Sequence, residues 1–151
     1  MSRKLRLRPL SMVVLLAVLI AAAAAWAAGT KPRLKLTGPS GTLAHNKRYK
    51  VKASGRATQK ANTVFAYEGG QVRGGTAAIQ CYSTEKAEYA HYKPSPTVHV
   101  YLGAHPVQGA FSLTWKFAAV NPGPRAFCAY LASSSGNKTY KHAELHWTNA
   151  P

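Results

Sequence analysis

The chain has 151 residues, with 20 lysines and arginines against four acids, so its formal charge at neutral pH is +16. It contains no aspartate, which excludes a Ser-His-Asp arrangement, and it has no G-x-S-x-G elbow. A length of this order is one domain with room for a real core.

In chain order, the first element is a basic start (Arg3, Lys4, Arg6, Arg8), an uncharged apolar stretch from Leu10, and a small-residue end at Ala25-Trp26-Ala27. Those three parts make a secretory signal peptide, with cleavage expected after Ala27. The competing reading is an uncleaved anchor, because no charge lies between Arg8 and Lys31 and a span needs about 20 residues. Against it, the second half is nearly all alanine. Both readings export the rest of the chain, since the basic start favours a cytoplasmic N-terminus. No cysteine stands directly after the apolar stretch and no twin arginine precedes it, so the general secretory route is expected.

The mature part is then residues 28–151, with sixteen basic residues against Glu68, Glu85, Glu88 and Glu144, a net charge of +12. Cys81 and Cys128 both fall in it, and an even pair in an oxidising compartment reads as one disulfide.

Beyond residue 30, short alternating runs separated by Gly, Pro, Ser and Asn predict an all-β domain of about seven to eight strands. The runs are Arg33–Leu36, Tyr49–Ala53, Thr63–Tyr67, Ala77–Tyr82, Val98–Leu102, Phe111–Phe117, Ala126–Leu131 and Ala143–Trp147. Glu85–His91 is the one weakly helical stretch, and the prolines at 94 and 96 stop it. Strands at this spacing with one apolar face predict an antiparallel β-sandwich.

The Pro-Gly turn at 122–123, the strand carrying Cys128 and the short last strand resemble an immunoglobulin-like or fibronectin-III-like module over residues 33–148. The run Asn121-Pro122-Gly123-Pro124-Arg125-Ala126-Phe127-Cys128 keeps the family's glycine but has Ala126 where the tyrosine corner stands. The resemblance to small secreted actinobacterial proteins of this kind implies an extracellular sandwich without catalysis.

Glu85 and Glu88 are close in sequence, as a glycosidase pair would need, but sit beside Lys86 and read as solvated surface acids. No catalytic residue and no cofactor is expected. His142, Glu144 and His146 alternate with Ala143, Leu145 and Trp147, placing two imidazoles and a carboxylate on one stripe of a strand. A metal-binding or hydrolytic role for that stripe is one alternative function, although H-A-E-L-H is not the helical H-E-x-x-H zinc motif. Among the aromatics, Tyr89 and Tyr92 are the expected exposed pair.

The strongest functional signal is Lys47, Arg48, Lys50, Lys52, Arg56 and Lys60, six cations within fourteen residues without an acid. Arg48, Lys50 and Lys52 fall on one strand face. Such a stripe attracts anionic cell-wall polymers, acidic polysaccharides or lipid head groups. Nucleic acid is the weaker partner, because export removes the chain from it and no RNP-type motif is present. The expected function is a secreted, basic, non-enzymatic binding module of the cell envelope. An adhesion subunit pairing with an unidentified protein through a sheet edge is a further alternative.

Overall fold

A computed structural model describes residues 31–70, 79–92 and 99–151. The expected signal peptide (1–27) lies outside them, as do the Pro-rich turn and most of the glycine-rich turn. Among the described residues no helix is long and apolar enough to cross a membrane.

The strands are β1 (Arg33–Thr37), β2 (Gly41–Leu43), β3 (Arg48–Arg56), β4 (Thr63–Gly70), β5 (His99–Pro106), β6 (Ala110–Ala118), β7 (Gly123–Ala132) and β8 (Thr139–Asn149), with one helix, α1 (Glu85–Tyr92). They form a three-stranded sheet, β1-β3-β6, and a five-stranded sheet, β2-β8-β7-β4-β5. All neighbours are antiparallel except β2, which runs parallel to β8, so the sandwich is not purely antiparallel. The expected strand at Ala77–Tyr82 does not form where it is described: Ile79–Tyr82 is irregular chain leading into α1.

The alternation seen in β6 is what one buried face produces. Phe111, Leu113, Trp115 and Phe117 turn inward while Ser112, Thr114 and Lys116 face solvent. Leu36, Val51 and Ala53 of the smaller sheet meet Ala66, Phe127, Ala129 and Trp147 of the larger one. The rings of Phe117 and Trp147 stack across that space with centroids 5.0 Å apart.

β4 and β7 lose the alternation because the larger sheet is covered on both sides. Phe65, Tyr67, Ala126, Cys128 and Tyr130 point away from the smaller sheet and are buried beneath Ile79 and the chain running into α1. The Cys81–Cys128 disulfide, with Cα atoms 5.6 Å apart, ties that chain to β7. It therefore staples a cover to the outside of one sheet and does not join the two sheets.

Thr84 caps α1, its Oγ1 accepting from Ala87 N at 3.3 Å. Gly136, in the β7–β8 connection, has φ +72°, and an added Cβ would strike the Glu85 carboxylate. Gly136→Ala should cost about 2 kcal/mol or more, combining left-handed strain with the clash. Chemical denaturation checks this; an unchanged midpoint would show that the connection relaxes freely.

Candidate functional site

The register places seven cations on the outer face of the three-stranded sheet. Arg33 and Lys35 of β1 lie beside Arg56 and Ser54 of β3. On the other side, Lys50 of β3 lies directly opposite Lys116 of β6, Lys52 opposite Thr114, and Arg48 opposite Ala118. Arg33, Lys35, Arg48, Lys50, Lys52, Arg56 and Lys116 are all exposed. Adjacent strands stand about 4.8 Å apart and same-face residues about 6.8 Å apart, so the array is about 27 Å long. Neighbouring charges lie within one Debye length at physiological salt, about 8 Å, and their fields add.

No carboxylate interrupts this face. The chain's four acids are Glu68 on β4, Glu85 and Glu88 on α1, and Glu144 on β8, all on or against the larger sheet. Two pairs of like charges, Arg33/Arg56 and Lys50/Lys116, stand directly across from each other. Such pairs destabilise a sheet. Dispersing a soluble protein needs net charge but not its concentration on one face.

Of the residues singled out in the sequence, Arg48, Lys50, Lys52 and Arg56 belong to this face. Lys47 lies in the turn before β3, and Lys60 in the β3–β4 connection. Arg33, Lys35 and Lys116 were missed, because which strands lie beside β3 is a non-local choice.

His142, Glu144 and His146 are exposed along β8, on the outer side of the larger sheet. His146 Nε2 and Glu144 Oε2 are 3.6 Å apart. Among the described residues no three His, Cys, Asp or Glu side chains are grouped to hold a metal ion. Tyr89 is 46 % exposed; the side chain of Tyr92 lies outside the description.

Glu85 and Glu88 correct the surface reading. Glu85 is 6 % exposed and Glu88 fully buried. One turn of helix aims both at the larger sheet, where two tyrosines meet them. Tyr67 Oη donates to Glu85 Oε1 at 2.7 Å. Tyr130 Oη lies 2.7 Å from Glu88 Oε2 and 2.8 Å from the Tyr82 carbonyl. Tyr82 N donates to Glu88 Oε2 at 2.9 Å, and Glu85 N to Thr139 Oγ1 at 2.9 Å. The network anchors α1 to β4, β7 and β8 with short hydrogen bonds in a dry setting, where each polar group must be matched. The signal available in the sequence was indirect: tyrosines at inward positions of buried strands need partners for their hydroxyls.

Burial pushes Glu85 above the usual carboxylate range, opposed by the Tyr67 hydrogen bond and reinforced by Glu88. Burial, with the hydrogen bonds to Glu85 and Glu88, likewise pushes the Tyr67 and Tyr130 hydroxyls above the ordinary tyrosine value. A carboxyl raised on folding adds stability below its unfolded pKa, and that stability is lost as pH rises through the folded value. Unfolding free energy should therefore fall upward from about pH 4.5, the ordinary glutamate value. Glu85→Gln should flatten that fall, as measured by unfolding across pH 4–8; parallel wild-type and variant profiles would contradict it.

No family model matches the chain, and no curated protein is significantly similar to it. Solved structures similar to it include the CARDB domain of PF1109 from Pyrococcus furiosus, at 12 % identity and TM-score 0.43, covering 80 % of this chain and 94 % of that one. A Niemann-Pick type C2 protein from Japanese carpenter ant is similar at 9 % identity and TM-score 0.43, over 82 % and 96 % of the two chains. A beta-glucosidase from Listeria innocua is similar at 10 % identity and TM-score 0.40, over 81 % of this chain and 17 % of that one. Likeness at this level says nothing about what the chain does.

Proposed function

We propose that this chain is an exported, non-enzymatic binding module whose cationic sheet face takes anionic polymers of the cell envelope. The observation that carries the reading is the segregation of charge: seven cations and no acid on one face, all four acids on the other sheet or its helix. A rigid, regularly spaced array suits a partner that repeats its own charge, because each contact releases counterions and the contacts sum along the polymer. The like-charge pairs Arg33/Arg56 and Lys50/Lys116 work against folding and are relieved when an anion lies between them.

Disulfide-stapled architecture and export fit the same setting, since such a bond persists outside the reducing cytoplasm. The test is retention of the mature protein on isolated cell walls across a salt series. Retention at low salt that falls steeply as salt rises is the expected result; retention that ignores salt, or none at low salt, would overturn the reading.

A further inference from the structure

A cleft of about 410 Å³ opens where α1 and the β7–β8 connection meet the outer side of the larger sheet. Its lining includes Phe65, Glu85, Lys86, Tyr89, Tyr101 and Asn137 and is more apolar than polar. Phe65 is nearly buried, Tyr101 half-buried and Tyr89 46 % exposed, so aromatic surface runs from the depth of the cleft to its rim. Aromatic rings with a few placed polar groups in a concave site are the make-up of a small-molecule seat.

Both sides of the cleft are held in place. Tyr101 packs on Tyr67 with ring centroids 5.1 Å apart, and the Tyr67 hydroxyl donates to Glu85 Oε1 at 2.7 Å. Across the cleft, Gly136 N donates to the Ser133 carbonyl at 2.8 Å and Ser133 N to the Lys138 carbonyl at 2.9 Å, closing the turn that carries Asn137. Gly136 is buried against the Glu85 carboxylate, closer than a side chain would allow. Asn137 is exposed, and its amide can donate and accept at once. The charges of the lining balance, one carboxyl on Glu85 against one ammonium on Lys86. Glu85 already serves Tyr67 and is raised above the usual carboxylate range, which makes it a poor counter-ion for a cation. Lys86, the one cation among the described lining residues, is exposed and offers an anion a single screened contact. A purely apolar ligand would cover Asn137 without pairing its amide.

We propose that this cleft binds one neutral pyranose unit of a glycan, with a C–H face of the sugar ring on Tyr89 and Tyr101 and its hydroxyls toward Asn137 and Lys86. The C–H bonds of that face are slightly positive and meet the negative face of an aromatic ring. Sugar hydroxyls both donate and accept, as the Asn137 amide does. The site does not depend on the sheet-face reading. A neutral ligand releases no counterions, so its affinity stays level at salt concentrations that strip a polyanion from the sheet.

The probes are the methyl glycosides of glucose, galactose, mannose and N-acetylglucosamine. Each is titrated into the mature protein and followed by the ring resonances of Tyr89 and Tyr101 and the side-chain amide of Asn137. Controls are cyclohexanol, which has the ring without the hydroxyls, and tetramethylammonium, which suits an aromatic site that takes cations. At least one glycoside should saturate with a dissociation constant of about 1 mM, unchanged as salt rises, with each control at least about tenfold weaker. Tyr89→Ala should weaken that glycoside about tenfold, whereas Tyr89→Phe, which keeps the ring, should stay within about threefold. Asn137→Ala touches only an exposed side chain and keeps the test decisive should Tyr89→Ala fail to fold; it should weaken binding about fivefold. No saturation by any glycoside up to about 50 mM, a control that binds as tightly, or parent-like affinity in Tyr89→Ala or Asn137→Ala would each overturn the proposal. Neutralising the sheet-face cations should leave glycoside binding intact, which separates failure here from failure of the polyanion reading.

Discussion

Replacing Cys81 and Cys128 together by alanine should lower the free energy of unfolding by about 4 kcal/mol, the value that loop-closure entropy assigns to a 47-residue separation. The bond fastens the segment that covers the outer face of the larger sheet. Without it, the unfolded ensemble gains freedom and the cover is left to the Glu85–Tyr67 and Glu88–Tyr130 contacts. These are short, but the burial of two carboxyls opposes them. Equilibrium denaturation measures the loss, and limited proteolysis should cut first in the covering segment around residues 79–92. A drop below about 1 kcal/mol, or first cleavage elsewhere, would show that the tyrosine–glutamate network holds the cover unaided.

The second large effect concerns Arg33, Lys50, Arg56 and Lys116, the four residues of the directly opposed pairs. Changing all four to glutamine should reduce affinity for an anionic surface by about a thousandfold at low salt, at about 1 kcal/mol per cation. The same variant should be more stable than the parent by about 1 kcal/mol at low salt, because two like-charge contacts are gone. Opposite signs for binding and stability are the signature of a face kept charged for a partner. If stability falls along with affinity, the cations are packing elements of the sheet and the functional reading loses its basis.

Where one face of a strand meets solvent, the sequence was readable: Phe111–Phe117 and Tyr49–Ala53 declare both their strand and its direction of burial. β2 was not readable, since three residues acquire strand geometry only by lying along β8. The stripe of Arg48, Lys50 and Lys52 could be seen locally, but its extension to Arg33, Lys35 and Lys116 depends on pairing across the chain. The acids at 85 and 88 misled because a helix carrying Glu, Lys and His looks solvated. Their burial follows from Tyr67 and Tyr130, two distant residues whose hydroxyls would otherwise face a dry sheet surface.

The most direct test of the central claim is the slope of log affinity for isolated cell walls against log salt, measured for the parent and the four-glutamine variant. On duplex DNA each neutralised phosphate contributes about 0.9 to that slope. The account predicts a steep parent slope that becomes shallower by about three to four in the variant. Identical slopes would contradict it, because the opposed cations would then make no contact with the polymer.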